Sequence, residues 1–145
     1  MKAKVINEGP ERTIALILDS GDEVVSTLER FAAEHALHAS RLSAIGAFER
    51  VTLGYFDWQR KDYERISVDE QVEVLSLVGD VALDGEQPKL HVHAVLGRRD
   101  GSTVGGHLLQ AKVRPTLEVL LIESPSYLRR VCDPASGLHL IDIGA

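Results

Sequence analysis

Two histidines, His91 and His93, stand two residues apart in the run Leu90-His91-Val92-His93-Ala94. Side chains alternate faces along a strand, so both imidazoles point the same way, a spacing that offers two ligands to one metal ion. A third histidine, His107, follows Gly105-Gly106 just beyond the turn signal Arg98-Arg99-Asp100-Gly101-Ser102. The loop length decides where it goes. A two-residue loop at Asp100-Gly101 would pair His93 with Leu108 and put His107 on the face of Val92, Ala94 and Leu96. A three-residue loop, Arg99-Asp100-Gly101, suits a type I turn whose glycine takes the left-handed conformation, and it sets His93 opposite His107. Leu90, Val92, Ala94, Leu96, Val104 and Leu108 then share one face, and the three histidines share the other. A one-residue slip would flip every side chain, so burial of the aliphatic set selects the second register.

Cross-strand Cβ atoms lie about 4.5–5.5 Å apart. Three imidazoles at that separation can converge on a tetrahedral Zn²⁺ and leave one position open. The other reading is a polar sheet face on which the histidines bond to one another, to water or to a carboxylate. Gly105 and Gly106 carry no side chains beside His107, so a ligand or a second backbone can come close. Glu118, one strand later, is the nearest carboxylate in sequence that can reach the cluster, a candidate to orient a histidine or to serve as base toward a zinc-bound water. His35 and His38 flank a helix end, an ordinary place for a cation, and His139 reads as peripheral. Cys132, the one cysteine, has no internal disulfide partner, which suits a reducing compartment.

The elements that must position these residues are mostly strands. Thr13–Leu18 reads as a buried strand, and Asp19–Asp22 as a turn from which Ser20 or Asp22 caps the next helix. Val24, Val25, Leu28, Phe31 and Ala32 recur at helical spacing and predict a helix over Glu23–His35. Strand signals then dominate: Arg41–Gly46, Arg50–Asp57, Tyr63–Ser67 and Val72–Leu83, the last with a bulge or bend at Gly79-Asp80. After a turn at Gly85–Pro88 come Leu90–Gly97, Thr103–Val113 and Leu117–Glu123. Pro125 opens an irregular region that ends in a short strand, Leu138–Ile143. One helix packed on a strongly twisted, largely antiparallel sheet, an α+β domain spanning residues 1–145, is the expected architecture.

Composition bounds the function. At 44% hydrophobic and 26% charged, the chain can bury a core. A formal net charge of −6 speaks against autonomous DNA binding, which draws its affinity from Lys and Arg on phosphates. The residues before Asn7 hold no long apolar run, and none elsewhere approaches the roughly 20 residues that cross a bilayer. The expectation is a soluble, cytoplasmic protein.

Several blocks resemble the plants-and-prokaryotes-conserved (PPC) domain family, also found in plant AT-hook nuclear proteins. They are Leu42–Ala47, Thr52–Asp57, Val74–Gly79, Leu90–Ala94, Gly105–Leu108 and Lys112–Val119, in family order over roughly residues 14–122. The resemblance implies an α+β fold with a sheet of about seven strands, a homotrimer, and a metal-linked site on His91, His93 and His107. Two departures matter. The chain lacks the Arg-Gly-Arg-Pro hook with which plant members grip the minor groove, and Gln110 stands where a glutamate is frequent. A trimeric, zinc-binding protein with a regulatory or DNA-associated role is the first functional expectation, and a zinc-dependent enzyme acting on a small molecule is the alternative.

Overall fold

The computed structural model describes residues 1–144. One helix, α1 (Val24–Glu34), lies against nine strands: β1 (Lys2–Glu8), β2 (Arg12–Asp19), β3 (Ala39–Asp57), β4 (Asp62–Val68), β5 (Val72–Asp84), β6 (Gln87–Gly97), β7 (Thr103–Glu123), β8 (Arg129–Cys132) and β9 (His139–Asp142). The class is α+β as expected, but nine strands replace about seven, and the sheet is mixed. β5 and β8 pair in parallel at Leu83↔Arg129 and Asp84↔Arg130, while every other named pairing is antiparallel.

Two long strands account for part of the difference. β3 and β7 each read as two segments in sequence, yet each is continuous, and they pair from Ser40↔Glu123 to Gly54↔His107 across three register shifts. Gly46 and Pro115 mark shifts in this ladder rather than strand ends. β7 borders β2 along its second half and β6 along its first, so His107 has β6 on one side and β3 on the other. The pairings run from β3 to β5 to β6 to β7 and back to β3, which curls the sheet around its apolar face.

That face holds the core. Leu16, Leu18, Phe48, Leu53, Leu77, Leu96 and Leu117 are fully buried, with Leu28 and Phe31 of α1 packed onto them. The buried side chains of α1, namely Val24, Thr27, Leu28, Phe31 and Ala32, follow the spacing read from sequence. Its cap differs. Glu23 accepts from Val25 N and Ser26 N at 3.3 and 2.8 Å, whereas Asp22 accepts from Asp19 N within the preceding turn. Glu23 also accepts from Ala111 N at 3.2 Å and so anchors the helix start to β7.

Three further expectations need correction. β5 runs through Gly79-Asp80 without a bulge, and its register shift lies between Val74 and Ser76. Gly79 has a different task, because a Cβ there would sit 2.0 Å from the carbonyl oxygen of His91. The turn after β5 is shorter than Gly85–Pro88: Asp84 pairs with Gln87, leaving only Gly85 and Glu86 outside the ladder. Residues 2–8 and 129–132 form strands that carried no strong apolar pattern. β1 is exposed throughout and only pairs along β2.

Candidate metal centre

The β6–β7 hairpin adopts the three-residue loop. Gly101 N donates to Arg98 O at 3.0 Å, Arg98 N donates to Ser102 O at 2.8 Å, and Gly101 has φ +83°. This is the type I turn with a left-handed glycine that the twist of two paired strands favours. Asp100 secures it by accepting from Ser102 N and Oγ at 2.9 and 2.6 Å, and those bonds hold its carboxyl below the usual range. The resulting register sets His93 opposite His107 and Leu96 opposite Val104. Val92, Ala94, Leu96 and Leu108 are buried, and the histidines lie on the opposite face.

There the three rings meet. One ligand atom from each of His91, His93 and His107 lies within 4.8 Å of the others. His91 Nε2 and His93 Nε2 are 3.2 Å apart, and ring centroids are 5.1, 5.1 and 5.4 Å apart. Two nitrogens bonded to one tetrahedral ion at 2.0–2.1 Å would be separated by about 3.3 Å. One pair already has that spacing, and the ligand atom of His107 lies within 4.8 Å of both.

The electrostatics suit a metal ligand, which must be a neutral imidazole with a free lone pair. Burial pushes the pKa of His107 down to about 4, and charge on His91, His93 and Arg130 acts the same way. His91 is lowered chiefly by burial and by Arg130, with Asp80 opposing. The Nδ1 atom of His107 is buried without a hydrogen-bond partner. A ring that carries an uncompensated buried nitrogen and stands beside two other imidazoles suits a metal, so the residues present fit a metal ion.

Tyr63 of β4 stacks on His107 with ring centroids 4.6 Å apart and planes at 22°. It reaches there across Gly54, the β3 partner of His107, where a Cβ would sit 2.7 Å from Tyr63 Cδ1. The paired glycines before His107 serve strand contact. A Cβ on Gly106 would lie 2.9 Å from Gly54 O, and one on Gly105 would lie 3.0 Å from Ala94 O. Of the two readings of these glycines, close approach of a second backbone is the one their surroundings match.

Glu118 lies elsewhere. It pairs with Ile17 of β2 and Ile45 of β3, far along β7 from His107, and it lines a groove with Leu75 and Leu120 that contains no histidine. Proximity in sequence misled here because β7 is one long strand, which carries residue 118 away from residue 107 at about 3.3 Å per residue. Its place beside the cluster is taken by residues from the C-terminal hairpin. Arg130 of β8 donates to Asp80, which pairs with His91 across the β5–β6 ladder. His139 of β9 bonds Asp84 through Nδ1 at 2.8 Å and lines the same cleft as His91 and His107. His139 is therefore not peripheral. The parallel β5–β8 pairing that brings it in leaves no local trace in sequence. His35 stays at the helix end, stacked on Phe31 with its Nδ1 3.0 Å from Phe31 O.

A model of the Plants and Prokaryotes Conserved (PCC) domain matches residues 6–125. The chain belongs to the PCC domain family, which is also written PPC. Comparison with curated proteins gives no match. Among solved structures, a metal-containing protein from Archaeoglobus fulgidus is 35% identical, with 97% of this chain and 96% of that one covered and a TM-score of 0.83. A proposed DNA-binding protein from Bacteroides thetaiotaomicron is 27% identical over 99% of both chains, with a TM-score of 0.89. A PPC protein from Pyrococcus horikoshii is 28% identical over 90% and 91% of the two chains, with a TM-score of 0.85.

Proposed function

We propose that this PCC-domain protein is a homotrimer that holds one zinc ion per chain on His91, His93 and His107, with the fourth coordination position open to a small ligand. The carrying observation is the convergence of three imidazoles, one of them with its pKa near 4, on a partly buried sheet face. The metal in the 35% identical archaeal protein supports the same reading. Zinc is the first choice because imidazole suits it and a tetrahedral ion needs only three protein ligands when one position stays open. When bound, it would supply Lewis acidity at that position. The chain's own part is to keep His91 and His107 neutral, to hold His107 under Tyr63, and to fix His91 and His93 by the β5–β6 ladder.

Support for self-association comes from an apolar face. Ile45, Leu75, Val78 and Leu120 are each more than half exposed, on neighbouring strands β3, β5 and β7. A stripe of that kind on a sheet marks an interaction surface. Two similar proteins are proposed to bind DNA, but the charge of −6 favours a ligand-binding or regulatory role without direct DNA contact. No helix among the described residues is long and apolar enough to cross a membrane.

Elemental analysis and light scattering test the proposal together. Purified chain should carry close to one zinc per chain and have the mass of a trimer, and His93→Ala should lose the metal while keeping the mass. Less than a tenth of an equivalent of metal after incubation with zinc, or a monomer mass, would overturn the respective part.

A further inference from the structure

His91 and His107 form one wall of a cleft of about 160 Å³ whose other walls come from β4, β5, β6 and the C-terminal hairpin. Tyr63, Leu90, Leu138 and Leu140 give it apolar sides. Lys89, Arg130 and the His139–Asp84 pair are its polar groups. A mostly apolar hollow with a few convergent polar groups is the usual form of a small-molecule site, and this one falls below the 300–1,000 Å³ that holds drug-sized ligands.

We propose that the cleft binds a small carboxylic acid with a short hydrocarbon body, its carboxylate toward the metal ligands and its far end beside His139. The inference rests on the metal reading above. Three neutral imidazoles leave the charge of a divalent ion uncompensated, so the open position prefers an anion. Arg130 and Lys89 add positive charge at the rim. Each also has an acidic partner, Asp80 and Glu29 respectively, so neither binds an anion strongly alone. The leucines and the Tyr63 ring favour a hydrocarbon over a bare inorganic anion. His139, fixed by Asp84 through Nδ1, offers its ring to the hydrocarbon end of the ligand. An acid the size of benzoate matches these demands.

Isothermal titration of benzoate into zinc-loaded full chain tests this, with zinc content measured on the same samples. Benzoate should bind at least tenfold more tightly than acetate, and benzylamine should not compete. Leu140→Asp, a change at a half-exposed position, should weaken benzoate at least tenfold with zinc content unchanged. His139→Ala should weaken it severalfold, also with full zinc. Equal affinity for acetate and benzoate, or variants that bind benzoate as wild type does, would overturn the cleft proposal while leaving the metal reading intact. Failure to take up zinc would instead remove the metal reading, and the acid site with it.

Discussion

Acid should weaken this fold through His107, and the size of the effect follows from its burial. The ring's pKa falls from 6.5 to about 4 on folding, mainly because burial disfavours the charged form. The unfolded chain therefore takes up a proton below pH 6.5 that the folded chain resists. Stability from this source is complete above pH 6.5 and is lost as pH drops toward 4. Taken whole, the shift corresponds to about 2 kcal/mol of lost stability at pH 5. The ring is only about half buried, so solvent screening reduces the expectation to about 1 kcal/mol. The assay is urea unfolding of metal-free protein at pH 7.5 and 5.0, at one protein concentration, for wild type and His107→Gln. Carboxylates that titrate in this range contribute equally to both proteins. Wild type should lose about 1 kcal/mol more than the variant between the two pH values. Equal losses would refute the link between burial of His107 and its neutrality.

Two other perturbations follow from geometry. Gly79→Ala would press a Cβ to 2.0 Å from His91 O, so urea unfolding should show a loss of about 3 kcal/mol, and a loss below about 0.5 kcal/mol would contradict the close approach. Tyr63→Ala should weaken zinc affinity about tenfold by freeing His107, as loss of a partner that orients a metal ligand does, whereas Tyr63→Phe keeps the ring and should leave affinity unchanged in competition with a fluorescent chelator.

How much of this was legible in sequence depends on the range of the forces involved. The hairpin was legible because local turn chemistry and burial of Val92, Ala94, Leu96 and Leu108 agree on one register, and the histidines follow from it. The helix was legible for the same reason, since its apolar stripe is local. Its cap was not, because Glu23 is held in place from β7, through Ala111 N. Gly46 and Pro115 look like strand ends, yet the chain continues because β3 and β7 support each other across the irregularity. β1 has no buried residue to announce it, and only pairing along β2 makes it a strand. The cleft was the least visible feature. It depends on Asp80 and Asp84 of β5 capturing Arg130 and His139 from about 50 residues away, which no periodicity encodes.

Anomalous scattering from crystals of zinc-loaded protein, collected on both sides of the zinc absorption edge, locates the ion among the three histidines. One peak per chain is expected, within bonding distance of a nitrogen from each of His91, His93 and His107. A peak at other residues, or density showing the three rings bonded only to one another and to water, would contradict it.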